Sequence, residues 1–518
     1  MPDSTHERKR NCRQSSMTHP MSGPRLRVAA LAAGLLLAGC ASLQPELPTP
    51  RPDIAAQWPH DRDAAVPSGS IQAPGAPVSG LAAAGDIGWR EFFSDSRLEK
   101  LIGVALENNR DLRVAVLNVQ RARAQYRIQD ADRVPSAGIG AAANQVGGDY
   151  VSASEGYAVE LGIAAFEVDL FGRVRNLSEA ALQQFLATAE ARRSAQLALV
   201  AEVANAYLAL ASDQELQQVA QATVASHAAA YELAAERRRL GAVSSLDVAQ
   251  ALTALESARA DEARLAGQVV QDINALSVLV GGRVEPDLLP DAFVPDVSGL
   301  QPLPAGVPST VLLRRPDVRQ AERLLLAANA SIGAARAAYF PSITLTAAAG
   351  TASRDLSGLF DSGTFGWSFM PQVNLPIFQG GRLRANEALA EAERDIALAQ
   401  YEKAVQSGFR EVADALALSR TLGRQRVAQE GLLAAAIEAH RLSEVRYRGG
   451  RDSYLALLDA QRTLYAARQA VVTTQRAEQA NRVTLYKVLG GGWLETSGAE
   501  VSGAEVSAAE VSAAEEPS

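Results

Sequence analysis

The chain has 518 residues, a formal net charge of −8 and 47% hydrophobic residues. That length exceeds one ordinary domain, the acidic balance gives no reason to expect nucleic acid, and the apolar content is that of a folded protein. No uninterrupted apolar run reaches the 18 or so residues of a spanning helix, so any crossing of a bilayer falls to strands.

The N-terminus reads as an address. Arg25 and Arg27 precede an 11-residue apolar core, Val28 to Ala38, which fits a secretory signal and is too short to span. It ends Leu37-Ala38-Gly39-Cys40. This resembles the lipobox of bacterial lipoproteins, in which the Cys carries diacylglycerol and an acyl chain. Ala41 and Ser42 follow, with no Asp at the second mature position, which by family analogy favours the outer membrane. Residues 1 to about 20 lie upstream of Met17 or Met21 and read as an extension or a misassigned start. Cys12 leaves with them, so no disulfide is expected. Residues 1–39 are thus extension and signal, and 40–85 an extended tether rich in Pro, Ala, Gly and Ser.

From Trp89 the chain becomes ordered. Asp95 or Ser96 can cap a helix bearing Leu98, Leu101, Ile102 and Ala105 on one side, running on through Asp111, Val116 and Val119 to a stop near Pro135. Two strands are expected next, at about 138–147 and 156–170. In the second, Tyr157, Val159, Leu161 and Ile163 alternate with Ala158, Glu160, Gly162 and Ala164. Arg173 to Leu240 then runs 68 residues without Gly or Pro, rich in Ala, Leu, Gln, Glu and Arg. As a helix it would reach roughly 100 Å, so an elongated molecule is expected. Gly241 and a few small residues turn the chain, and Leu246 to Val280 returns as helix. Residues 283–313 form a linker; Arg283 to Pro308 alone holds six prolines.

The second half repeats the first. Asp111-Leu112-Arg113 answers to Asp317-Val318-Arg319, Pro135 to Pro341, Ile139 to Leu345, Gly172-Arg173-Val174-Arg175 to Gly381-Arg382-Leu383-Arg384, and Leu246 to Leu455; the offset drifts from 206 to 209. The halves are 86–282 and 314–492. The second carries strands at about 342–351 and 364–377 and a long helix to about Tyr447. Gly408, Gly423 and Gly431 suggest that this helix is less regular than the first. A return arm runs from Ser453 to Leu489. The tail, 493–518, repeats Ala-Glu-Val-Ser and reads as disordered.

Each half thus holds one strand pair with an apolar face, including Tyr157, Phe365, Trp367 and Phe369, and a small, polar one. Four strands cannot close a barrel, and open edges are not tolerated in hydrocarbon. Several copies must pool their strands, eight or twelve being the first possibilities, with a helical tube leading away at Arg173 and Arg382. A soluble sheet packed on a helix is the alternative.

In this order and spacing, Trp89-x-x-Phe92-Phe93, Asp169-Leu170-Phe171-Gly172-Arg173, Arg314-Arg315-Pro316-Asp317, Tyr339-Phe340-Pro341-Ser342, Pro376-Ile377-Phe378-x-Gly380-Gly381-Arg382 and Tyr454-Leu455-x-Leu457-Leu458-Asp459-Ala460-Gln461 resemble the TolC-like outer-membrane efflux channels. Within that family the likeness is to the OprM-type (NodT-like) lipoproteins of tripartite drug-efflux pumps. The resemblance covers Trp89 to about Gly491. It implies a mostly α fold with a membrane β-barrel portion: a homotrimer with a 12-stranded barrel and a helical periplasmic tunnel. It also implies a passive export duct in the outer membrane serving a periplasmic adaptor and an inner-membrane RND transporter. It places a periplasmic gate where the hairpins bend, at Gly241 to Ser245 and Gly449 to Ser453. Leu455 would be an apolar constriction and Asp459 an acidic ring, with Tyr447 and Arg448 tying the closed hairpins. Ala456 stands where some relatives carry a second carboxylate, and the first-half match to Asp459 is Gln250.

No catalytic chemistry is expected. The five His residues, at 6, 19, 60, 227 and 440, show no metal-ligand spacing, and no P-loop or dinucleotide fingerprint is present. No cofactor or metal is expected, and His227 and His440 are expected at a surface or interface. Two other readings are a periplasmic adaptor lipoprotein, which would show one hairpin between soluble β domains, and a structural periplasmic coiled coil.

Overall fold

The computed structural model describes residues 43–47, 87–149, 151–291, 293 and 309–492. The signal segment, Cys40, nearly all of the tether, most of the linker and the acidic tail lie outside the described residues. Two compact units divide the chain: a sheet unit containing Asp132–Asn176 and Gly333–Leu383, and a helical unit holding the remaining elements.

In the first half, α1 (Trp89–Phe92), α2 (Ser96–Asn108) and α3 (Arg110–Ala131) precede β1 (Ala137–Gly148), β2 (Val151–Val168), α4 (Arg173–Arg239) and α5 (Ser245–Val280). In the second, α6 (Pro316–Ala337) leads to β3 (Ser342–Ser353), β4 (Phe365–Asn374), α7 (Arg382–Arg448) and α8 (Tyr454–Val488). The repeat holds at the level of length: α3 and α6 have 22 residues each, α4 and α7 have 67 each, and α5 and α8 have 36 and 35.

Three expectations need correction. The first helix does not run through Asp111; it ends at Asn108 and restarts at Arg110. Asn109 is extended, with ψ 130, and its Oδ1 accepts the Leu112 amide at 2.9 Å, an N-cap supplied from within the sequence. Its Nδ2 donates to the Leu279 carbonyl at 2.8 Å. The second long helix is unbroken despite its glycines. At Gly408 a Cβ would lie 3.3 Å from Leu312 Cδ2 and 3.4 Å from Arg315 Cζ, so this residue permits a close approach rather than a bend. His227 is buried, and burial lowers its pKa below the ordinary value.

The helical core forms where α1 and α2 dock. Trp89, Phe92, Phe93, Leu98, Leu101 and Ile102 pack with Val200, Val203, Tyr207 and Leu208 of α4, Leu276 and Val280 of α5, and Val483 and Tyr486 of α8. Phe92 stacks on Tyr486 with ring centroids 3.8 Å apart. The Tyr486 hydroxyl donates to the Ile87 carbonyl at 2.6 Å. Asp95, the N-cap of α2, accepts from the Tyr207 hydroxyl at 2.7 Å and from the Arg97 amide at 2.8 Å. Part of α4 is apolar enough, by length and composition, to cross a bilayer, but over half of that stretch is buried inside the chain, as packing against other helices requires.

The two strand pairs merge into one antiparallel sheet, β1-β2-β3-β4. Its rows are legible from the register. Ile139 faces Leu161, Leu161 faces Ala349, and Ala349 faces Trp367. On the other face Gly140, Glu160, Gly350 and Gly366 form the neighbouring row. A Cβ at Gly350 would sit 2.1 Å from the Val159 carbonyl oxygen, so β2 and β3 meet more closely than any side chain allows. Between Ile163 and Phe166 the register shifts by one residue, and Ala165 takes φ 49. This bulge reverses parity: Phe166 and Val168, even-numbered, join Leu161 and Ile163 on the apolar face. Glu167 turns to the other face, where its carboxylate accepts two hydrogen bonds from Arg173, at 2.8 and 2.5 Å.

Candidate functional site

Two surfaces stand out, the sheet and the paired hairpin tips. A sheet in water hides its apolar face. Here Ile139 is 79% exposed, Trp367 76% and Phe365 69%, on the same face. The opposite face is mostly Gly, Ala, Ser, Thr, Asn and Gln with the carboxylates of Glu160 and Glu167, interrupted by Val146 and Met370. Among the described residues the outer strands β1 and β4 each have one partner, leaving a row of backbone groups without a ladder partner on each edge of the sheet. Such a sheet needs an apolar surround for one face and further strands for its edges.

The tips are alike in backbone and unlike in chemistry. The Gly241 amide donates to the Arg238 carbonyl and Ala242 to Arg237, at 2.9 and 2.8 Å; Gly450 donates to Tyr447 and Arg451 to Arg446, at 3.0 and 2.9 Å. Gly241 and Gly450 have φ 75 and 70, the left-handed region where a side chain is strained. After the first tip, Ser244 and Asp247 form a reciprocal capping box for α5. After the second, Asp452 binds both arms of Arg446, at 2.6 and 2.9 Å.

The structure brings Tyr447 and Arg448 together with the first tip. Tyr447 is buried with Ala230, Ala234, Ala251, Ala254, Tyr454, Leu457 and Leu458. Its ring meets Tyr454 edge-on at 5.7 Å. Both phenol oxygens are buried without a hydrogen-bond partner among the described residues; burial raises the Tyr447 pKa and pushes Tyr454 up to about 12. Arg448 pairs with Glu444 on its own helix at 2.6 Å. Leu455 and Asp459 are not part of this cluster. Both are exposed on the first two turns of α8, Leu455 by 60%, and Leu246, its first-half counterpart, is equally open.

The residue that joins the tips escaped the sequence reading. Arg237 on α4 donates to the Tyr447 carbonyl at 3.1 Å and the Arg448 carbonyl at 2.9 Å, and its guanidinium lies 4.8 Å from the Tyr447 ring centroid. It satisfies carbonyls that the end of α7 leaves without intrahelical partners. The only sequence signal was three consecutive arginines, 237 to 239, in the last turn, and nothing there said which one reaches across.

Further along the hairpin, Asp213 of α4 and Asp272 of α5 form a carboxyl pair. Burial, followed by the hydrogen bond to Asp272, pushes Asp213 up to about 6, against the pull of Arg476 and Arg264. Gln268 donates to Asp272 at 2.9 Å. Among the described residues, no group of three His, Cys, Asp or Glu could hold a metal ion.

A sheet with an exposed apolar face, joined in duplicate to long helical hairpins, is the pattern of a membrane channel subunit. The chain belongs to the outer membrane efflux protein family, whose pattern matches residues 101–282 and 307–491. It is 44% identical over 472 residues to the probable efflux pump outer membrane protein TtgC of Pseudomonas putida, spanning 89% of this chain and 95% of that one. It is 41% identical over 482 residues to outer membrane protein OprJ of Pseudomonas aeruginosa, spanning 92% and 98%. The open state of the MtrE outer membrane channel of Neisseria gonorrhoeae superposes with a TM-score of 0.79 at 39% identity, over 88% of this chain and 100% of that one. The fold is therefore TolC-like, the location is the outer membrane, and the adaptor reading is set aside.

Proposed function

We propose that three copies of this chain close a twelve-stranded barrel in the outer membrane and extend it as a periplasmic helical tunnel, the passive duct of a tripartite efflux pump. The sheet carries this reading. Four strands with two bare edges and one greasy face are a half or a third of a barrel, never a whole one. Of the closed forms, three copies give twelve strands, which the resemblance favours over eight. The small, polar face lines the water-filled lumen.

The partners are a periplasmic adaptor and an inner-membrane RND transporter, which supplies the energy. TtgC of another Pseudomonas putida strain is described as a toluene efflux pump protein and ArpC as an antibiotic one; small apolar organic compounds and antibiotics are the cargo class proposed here. Cys40 carries the lipid anchor. The tips form the periplasmic gate: Leu455 narrows it, Asp459 makes it cation-attracting, and Tyr447 and Arg448 hold it shut.

The test is disruption of the gene in its host with toluene and antibiotic accumulation as readout, restored by the intact gene; unchanged accumulation defeats the duct reading. Replacing Asp459 by Ala should raise single-channel conductance in planar bilayers and weaken cation selectivity. Cys40→Ser should abolish labelled palmitate incorporation.

A further inference from the structure

Charge is scarce on the polar face of the sheet. Among the described residues two carboxylates stand on it, Glu160 and Glu167 of β2. Glu167 is neutralised by Arg173, which donates to both of its oxygens at 2.8 and 2.5 Å. Glu160 is exposed, and no hydrogen bond or ion pair among the described residues engages its carboxylate.

The surroundings leave it room. The register sets Glu160 between Gly140 of β1 and Gly350 of β3, with Gly366 of β4 next to Gly350, so no other residue of that row has a side chain. The glycine at 350 is required: an added Cβ there would lie 2.6 Å from Glu160 Cα and 2.9 Å from its Cβ, where the root of the glutamate side chain already is. One flanking row is Ala142, Ala158 and Ala352. The other is Gly138, Gly162, Ala348 and Ser368. Nothing in either is longer than the serine hydroxymethyl, so the carboxylate stands alone above a floor of backbone and methyl groups.

A carboxylate without a partner is too costly to keep in hydrocarbon. The next residue, Leu161, is on the apolar face in line with Ile139 and Trp367. Glu160 thus sits at a level that a membrane surrounds and is wetted from the polar side. Both ladder neighbours of β2, β1 and β3, belong to the same chain, so this setting does not depend on how copies join.

We propose that Glu160 sets the charge preference of the barrel lumen, as a fixed anion in each copy past which cargo and ions travel. This rests on the duct reading above and adds a specificity-determining residue inside the barrel, apart from the tips. The carboxylates attract cations and turn away anions, so cationic and neutral cargo passes more readily than anionic cargo of the same size. Because the rest of the row is glycine, charge rather than bulk does the selecting at this level.

The experiment is the reversal potential of the full chain in planar bilayers under a KCl gradient. Glu160→Gln should lower the ratio of potassium to chloride permeability about threefold or more near 0.1 M salt, and the difference should fade near 1 M, as the screening length drops from about 10 Å to about 3 Å. Glu160→Cys gives a second reading, with the wild-type chain under the same reagents as baseline. A sulfonatoethyl methanethiosulfonate, which returns a negative charge, should restore the cation preference, and a trimethylammonioethyl one should reverse it. Asp459→Ala, measured alongside, should leave the Glu160 effect in place. A wild-type permeability ratio in Glu160→Gln, or a Glu160→Cys channel indifferent to both reagents, overturns the assignment while the duct stands. A wild-type chain that forms no conducting channel overturns the duct itself.

Discussion

Arg237 is the single side chain whose removal should unlatch the two tips without disturbing the core. In the variant Arg237→Ala, the guanidinium's bonds to the Tyr447 and Arg448 carbonyls and its position over the Tyr447 ring are all lost. Hydrogen bonds to charged groups contribute about 1.5–3 kcal/mol each, and an exposed cation–π contact about 0.5–1 kcal/mol. Summed at their low ends these come to about 3.5 kcal/mol; water reaches the site and the Tyr447 carbonyl keeps its bond from the Gly450 amide, so about 2 kcal/mol is expected for the whole tie. That corresponds to roughly a 30-fold shift in the balance between latched and unlatched tips. In planar bilayers the variant should therefore show a markedly higher open probability at unchanged single-channel conductance. Arg237→Lys keeps the charge but has no fork to span two carbonyls, and should fall between. An alanine variant that gates as the wild type does would refute the role assigned to this residue.

Other outcomes follow from the packing. Tyr486→Ala empties the stacked position under Phe92 and should cost about 3–5 kcal/mol, seen as a lower thermal midpoint by circular dichroism, whereas Tyr486→Phe loses only the bond to the Ile87 carbonyl. Gly350→Val drives a side chain into the β2–β3 junction and should abolish the proposed trimer, read as its loss from the outer-membrane fraction on an unheated gel. The carboxyl pair gives a pH signature. Asp213 has a folded pKa raised to about 6 from 3.8, so the fold holds a proton that the unfolded chain releases. Its destabilising effect is absent below about pH 3.8, grows through pH 4–6 and is complete above that range. The midpoint of Asp213→Asn relative to wild type should accordingly rise between pH 4 and pH 7; a pH-independent difference would contradict the pairing with Asp272.

The sequence disclosed much of this because repetition and periodicity are redundant signals. A helix without Gly or Pro from Arg173 to Leu240 has few alternatives, and two halves that agree protect each other's reading. What stayed hidden was set by single backbone events. Asn109 breaks the first helix with no Gly or Pro to mark it, because its side chain caps the next turn as well as a bare turn residue could. The strand after Tyr157 changes parity at Ala165, and a fixed period of two runs past the bulge to the wrong face. The joining of β2 to β3 depends on the size of Gly350, and no local pattern distinguishes that glycine from those of the turns. Leu455 and Asp459 were legible as a motif, but the latch beside them belongs to the other half of the chain, some 210 residues away.

The matched arm lengths carry a consequence for how such a chain can change. With 67 residues in α4 and in α7, and 36 and 35 in α5 and α8, the two tips end level, and Arg237 can meet the last carbonyls of α7. One added turn in a single arm would displace its tip by about 5.4 Å and part that contact. Residue identities along the arms are free to drift under the ordinary rules of packing; their count is not. Insertions should survive only when made in several arms together, so relatives of different reach would differ by coordinated steps rather than by one.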